Sequence, residues 1–126
     1  MRSASSVVAA LLLACAAATA GAQAPAVRVI VQRSPLAGFA HHQAPQVWPA
    51  LQVGDALELA REPDNAHDPN AVRVLWRGHL LGYLPQRANG AVAWALDRGD
   101  RLQARIRHLA EHPNPARRLE LEVLVE

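Results

Sequence analysis

Between Arg61 and Val72 the chain gathers Glu62, Asp64, Asn65, His67, Asp68 and Asn70, with Pro63 and Pro69 spaced among them. Carboxylates and amides at this density can do one of two things. They can cap their own backbone, as Asx side chains do in tight turns where Pro sets the bend. Or they can face outward and accept hydrogen bonds from a ligand, since compact polar loops on a rigid scaffold often carry function. The stretch is too elaborate for a two-residue hairpin link, and both readings stay open on its residues alone.

Two other chemistries fall on the same residues. His41, His42, His67 and Asp68 would form a zinc site if their two loops met. Adjacent histidines do not easily face one ion, however, and no cysteine accompanies them, so zinc is the remote alternative. Catalysis is not expected. Glu62, Asp64 and Asp68 in a turn suit capping, Ser34 is the single serine beyond the leader, and no glycine-rich phosphate loop is present. No cofactor is implied.

These residues need elements to hold them. Val27 to Arg33 alternates and is rich in β-branched residues, the pattern of a strand. Ser34 to Trp48 reads as irregular, with Gly38 to His42 a short extended run. Ala56 to Arg61 alternates with Leu57 and Leu59 inward. Ala71 to Arg77 and His79 to Leu84 form a hairpin about Arg77 and Gly78. Gly82 within the second arm signals a bulge or a close backbone approach. Gln86 to Asp97 has helical spacing, opened by Pro85 and stopped by Gly99. Arg101 to Leu109 and Arg118 to Val125 alternate again, the first with Leu102, Ala104, Ile106 and His108 on one face.

Five to six short strands and one helix in about a hundred residues imply a mainly β fold. Closure removes exposed sheet edges, so the expected architecture is a small closed OB-like or SH3-like barrel with an inserted α-helix. Arg101, Arg105 and Arg107 then share a strand face, either as a solvated surface balanced by Glu120 and Glu122 or as a phosphate track. Trp48, Trp76 and Trp94 read as core more than as base platforms. Trp94 sits among apolar helix residues, and Trp76 lies opposite the core phase of its strand or at its edge.

The first 22 residues have the layout of a secretory signal peptide. Arg2 is followed by an apolar run from Val7 to Ala18 and by small-x-small sites at 18–20 and 20–22. That run is too short for a transmembrane helix, which takes about 20 apolar residues. The domain is expected at residues 23–126, exported to the periplasm or beyond the cell. Leu12 to Cys15 resembles a lipobox, so a lipid anchor at Cys15 competes with simple export. Cys15 is the chain's one cysteine, which leaves the domain without disulfides. All 13 basic residues are arginine, a mark of a GC-rich coding sequence, and the formal net charge of +2 neither predicts nor excludes nucleic acid.

One resemblance organises these residues. Leu59, Arg61, Glu62, Pro63, Asp64, Asn65, Asp68, Pro69, Asn70, Ala71 and Val72, then Gly78, Gly82, Tyr83, Leu84 and Pro85, then Leu96, Asp97 and Gly99, resemble the HIRAN domain over about residues 34–110 in order, spacing and type. The resemblance implies a modified OB barrel, found as a stand-alone bacterial protein and as an accessory module of helicase-like DNA-repair translocases. It implies a non-catalytic module that binds single-stranded DNA and captures its free 3′ end, with rings stacking on bases and a carboxylate accepting from the terminal hydroxyl. By position, Asn65 and Asp68 would read the end, and Tyr83 would lie near the nucleotide. His67 falls where a stacking tyrosine stands in DNA-binding members, His41 near a second tyrosine, and Ala40 near a phosphate-contacting arginine. The expected partner is single-stranded nucleic acid. The alternative is an envelope protein, met by an exported barrel that has lost DNA binding.

Overall fold

A computed structural model describes residues 29–125. The expected leader, its expected cleavage sites and Cys15 lie outside the described residues. Among the described residues, no helix is long and apolar enough to cross a membrane.

Six strands form one antiparallel sheet: β1 (Val29–Pro35), β2 (Ala56–Arg61), β3 (Val72–Trp76), β4 (His79–Tyr83), β5 (Leu102–Leu109) and β6 (Leu119–Val125), in the spatial order β1-β6-β5-β2-β3-β4. The two ends of that order meet just past β1. Ala37 N donates to Tyr83 O at 2.8 Å, and Tyr83 N donates to Ala37 O at 2.9 Å. This bridge closes the sheet into the small barrel that the strand pattern implied.

Gly82 makes the closure possible. A Cβ there would lie 2.3 Å from the Ala37 carbonyl oxygen, far inside any tolerated contact. β4 also carries a bulge beside it. Val74 faces Gly82 and Leu75 faces Leu80, so Leu81 is the extra residue and turns fully into the core. Both meanings of the glycine, bulge and close approach, are realised.

The core is apolar and continuous, built on Leu36, Val72, Val74, Leu81, Leu84, Ile106, Leu119, Leu121 and Val123. β3 presents Val72, Val74 and Trp76 inward in strict alternation, so Trp76 lies in the core phase, contrary to expectation. Its indole N–H donates to Asp55 Oδ2 at 3.0 Å, which meets the polar need of a buried tryptophan.

Four other local expectations change. Gly38 to His42 is not extended: Phe39–His41 is a 3₁₀ turn, entered through Gly38 at φ 77°. The helix expected over Gln86 to Asp97 breaks at Asn89 into a 3₁₀ turn, Gln86–Ala88, and a helix, α2 (Gly90–Asp97; the shorter α1 is Ala44–Val47). Gly90 is therefore a first-turn residue, where glycine costs less than in a helix interior. Trp94 of α2 is 63% exposed rather than in the core, with the Arg98 guanidinium 3.9 Å from its ring centroid. β5 starts with Ala104 and Ile106 inward as expected. A bulge between Ile106 and His108 then shifts the register, and His108 is exposed.

Candidate nucleic-acid interface

The polar turn between β2 and β3 is held from within. Asn65 Oδ1 accepts from the backbone N–H groups of His67 (2.9 Å) and Asp68 (3.0 Å), and Asp68 Oδ1 accepts from Asn70 N at 2.9 Å. Ala71 N donates to Asp68 O at 3.1 Å, and Glu62 N donates to Ala71 O at 3.0 Å, closing the base of the loop. Arg61 then clamps it from outside. Its guanidinium donates to Ala71 O and Pro69 O and forms an ion pair with Asp97 near the end of α2. The capping reading of the Asx residues is thus real, and it fixes their outward atoms in place.

Two further groups tie this turn to the rest of the barrel. Asp68 Oδ2 accepts from Asn89 Nδ2 at 2.6 Å, and Asn89 is 1% exposed. Asn89 sits where the 3₁₀ turn meets α2, its backbone still helical and its carbonyl accepting from Ala93 N, and its side chain alone reaches the loop. Glu62 forms the other link. Its Oε1 accepts from Asn65 Nδ2 at 3.2 Å and its Oε2 from Tyr83 OH at 2.7 Å. That hydrogen bond, followed by burial and the Glu62 charge, raises the pKa of the Tyr83 phenol above its ordinary value, while Arg73 pulls the other way.

Arg73 stands directly opposite Tyr83 across the β3–β4 ladder. Its Nε lies 3.8 Å from Glu62 Oε2, is buried, and has no hydrogen-bond acceptor. The side chain is 40% exposed, so the outer end of the guanidinium reaches solvent beside the phenol. On the other side of Tyr83 the His42 ring packs at 5.3 Å between centroids, tilted by 58°.

The structure therefore joins Asn65, His67 and Asp68 in one turn and connects Tyr83 to it through Glu62. His67 is exposed at the tip. His41 is not drawn in. It is exposed at the end of the 3₁₀ turn, and its neighbour His42 holds the place beside the phenol. The zinc arrangement does not form: among the described residues, no three His, Cys, Asp or Glu side chains come together to hold a metal ion. Of the three arginines expected to share that strand face, Arg105 and Arg107 pair with Glu122 and Glu120, and exposed Arg101 has no carboxylate within ion-pair distance among the described residues, so two of the three are spent on ion pairs rather than free for a phosphate track. Sequence reasoning missed His42, Arg73 and Asn89 as members of the site. The alternation of β3 and β4 could have paired Arg73 with Tyr83, but no local signal marks Asn89.

The HIRAN domain model matches residues 29–126. The chain belongs to the HIRAN domain family. A solved protein from Lactobacillus plantarum superposes on this HIRAN domain with a TM-score of 0.66 at 28% identity, covering 79% of this chain and 98% of that one. The HIRAN domain of human HLTF superposes with a TM-score of 0.61 at 20% identity, covering 78% of each chain, and shares the fold. A Fanconi-associated nuclease 1 homolog from Oryza sativa subsp. japonica is 44% identical over 52 residues, which are 38% of this chain and 5% of that protein. This HIRAN domain thus corresponds to a small part of that much longer relative.

Proposed function

We propose that this HIRAN domain is a non-catalytic module that binds single-stranded nucleic acid and reads a free 3′ end at the turn between β2 and β3. HIRAN domains are known as DNA-binding modules. The observation that carries the finer reading is the fixed Asp68 carboxylate. It is held by the Asn70 N–H and by buried Asn89, at the half-buried base of a loop whose tip is the exposed His67. A carboxylate has about four acceptor sites, and these two bonds leave room for a terminal hydroxyl. Fixing the acceptor beforehand lowers the ordering cost of binding.

The neighbours fit the same role. His67 offers an imidazole face to a base, with less area than a phenol. Tyr83 and His42 form a ring pair that Glu62 ties to the turn. Arg73 brings a guanidinium to this edge, while the position of the family's phosphate-contacting arginine holds Ala40. Export remains part of the proposal and sets which nucleic acid the domain would meet.

The deciding experiment is fluorescence anisotropy of the full chain with short labelled single strands whose 3′ end is free or blocked. The expected result is tighter binding to the free end, weakened by added salt as counterions are released. Asp68→Ala should abolish the preference for the free end. It should also cost about 1–3 kcal/mol of stability by stranding the Asn89 amide, while the domain stays folded. Equal binding to both ends by the wild type would refute end reading. Absence of binding to either end at low salt would refute nucleic-acid binding altogether.

A further inference from the structure

A cleft of about 490 Å³ opens between β1, β5 and the 3₁₀ turn Pro115–Arg117, with Arg33, Pro35, His108, Arg117, Leu119 and Glu120 in its wall. Its cations are not used by the fold. Arg61, Arg73, Arg98, Arg105 and Arg107 each lie within 4.0 Å of a carboxylate. Arg33 and Arg117, like Arg77, Arg87, Arg101 and Arg118, have no such partner among the described residues, but these two are exposed and line one cleft. The one carboxylate in the wall, Glu120, is already paired with Arg107 at 2.8 Å. The cleft therefore presents two unneutralised guanidinium groups and the exposed His108 imidazole over an apolar floor, where Leu119 is 1% exposed.

We infer that this cleft is a second anchoring point for the same single strand, binding backbone phosphate with Arg33 and Arg117. The inference rests on the proposed nucleic-acid function and extends it away from the 3′ end. A guanidinium presents paired N–H donors in a planar fork that matches phosphate oxygens, and an apolar floor tolerates the sugar. The chain path connects the two places. From Arg33 the backbone runs through Pro35 to Ala37, whose bridge to Tyr83 borders the end-reading site. Four extended residues span roughly 13 Å, so a strand lying along this edge would meet the arginines a few nucleotides from its end. The cleft supplies positive charge that Ala40 does not.

The test uses the full chain and the double variant Arg33→Ala/Arg117→Ala, with two free-ended strands of about 3 and about 12 nucleotides, the longer within the usual span of an OB-type groove. Each phosphate contact on a single strand contributes about 0.7 to the slope of log K against log salt, so losing two should flatten the slope by about 1.4 for the longer strand. Between about 50 and 200 mM salt, the wild type should then lose roughly sevenfold more affinity than the variant. Affinity for the short strand should be unchanged, as should the preference for a free end. If the wild type binds the longer strand and the variant matches it in affinity and slope, the cleft assignment is wrong and the end-reading site stands. If the wild type binds neither strand, both fall. Thermal melting of the variant should coincide with that of the wild type, because neither arginine holds the fold.

Discussion

Replacing Gly82 with alanine should open the barrel at its seam. The added Cβ would sit 2.3 Å from Ala37 O and 3.1 Å from Leu36 Cγ. The first of these is backbone, so the strand must move and no side chain can absorb the clash. Moving it breaks the pair of hydrogen bonds between Ala37 and Tyr83, about 1 kcal/mol each. Displacing Leu36, which is 1% exposed, adds about 1–3 kcal/mol of packing strain. The sum is about 3–5 kcal/mol. For a domain of this size each kcal/mol lowers Tm by roughly 4–8 °C, so the variant should melt at least about 12 °C below the wild type. Thermal denaturation measures the loss, and amide exchange at Ala37 and Tyr83 reports whether the seam itself has opened. Gly90→Ala is the matched control, since a Cβ there meets nothing within 4 Å and the change should be neutral or stabilising. A Gly82→Ala melting point within about 2 °C of the wild type, with those two amides still protected, would refute the closure argument.

Tyr83 is the chain's one tyrosine, so its ionisation can be followed alone by absorbance. Its folded pKa lies above 10.0, the direction that favours the protonated phenol. The stability it contributes is therefore whole below about pH 10 and lost as pH rises through the folded pKa, because the native state then binds more protons than the unfolded chain. Tyr83→Phe should abolish this alkaline loss in urea denaturation. A titration placing the folded phenol at or below 10.0 would count against the Glu62 bond. His67→Ala should weaken single-strand binding by about 1–3 kcal/mol, the usual worth of one stacked base, and leave stability within about 0.5 kcal/mol of the wild type. An unchanged Kd would remove His67 from the site.

The barrel was legible in the sequence because its strands are half-buried and antiparallel. Period-2 alternation in Ala56 to Arg61, Ala71 to Arg77 and Arg118 to Val125 marks one face as apolar, and Gly82 marks a point where no side chain fits. The turn from Arg61 to Val72 was legible too, since Asx and proline chemistry is local. Local pattern failed where a long-range contact decided the outcome. Asn89 looks like an ordinary helix residue, and only the fold shows its side-chain amide held by the Asp68 carboxylate, 21 positions away. Trp94 left the core expected for it, and Trp76 lies in the core but in the strand phase opposite the expected one. α2 turns Trp94 to solvent under Arg98, and β3 turns Trp76 inward toward Asp55. The arginines of β5 read equally as track or paired surface until β6 set Glu120 and Glu122 beside them. Residue types and spacing determined which groups could bind and that a closed sheet would carry them. Only the tertiary structure decided which of those groups are spent on the fold, because side-chain pairing across distant strands depends on register, and register is fixed by closure of the whole barrel.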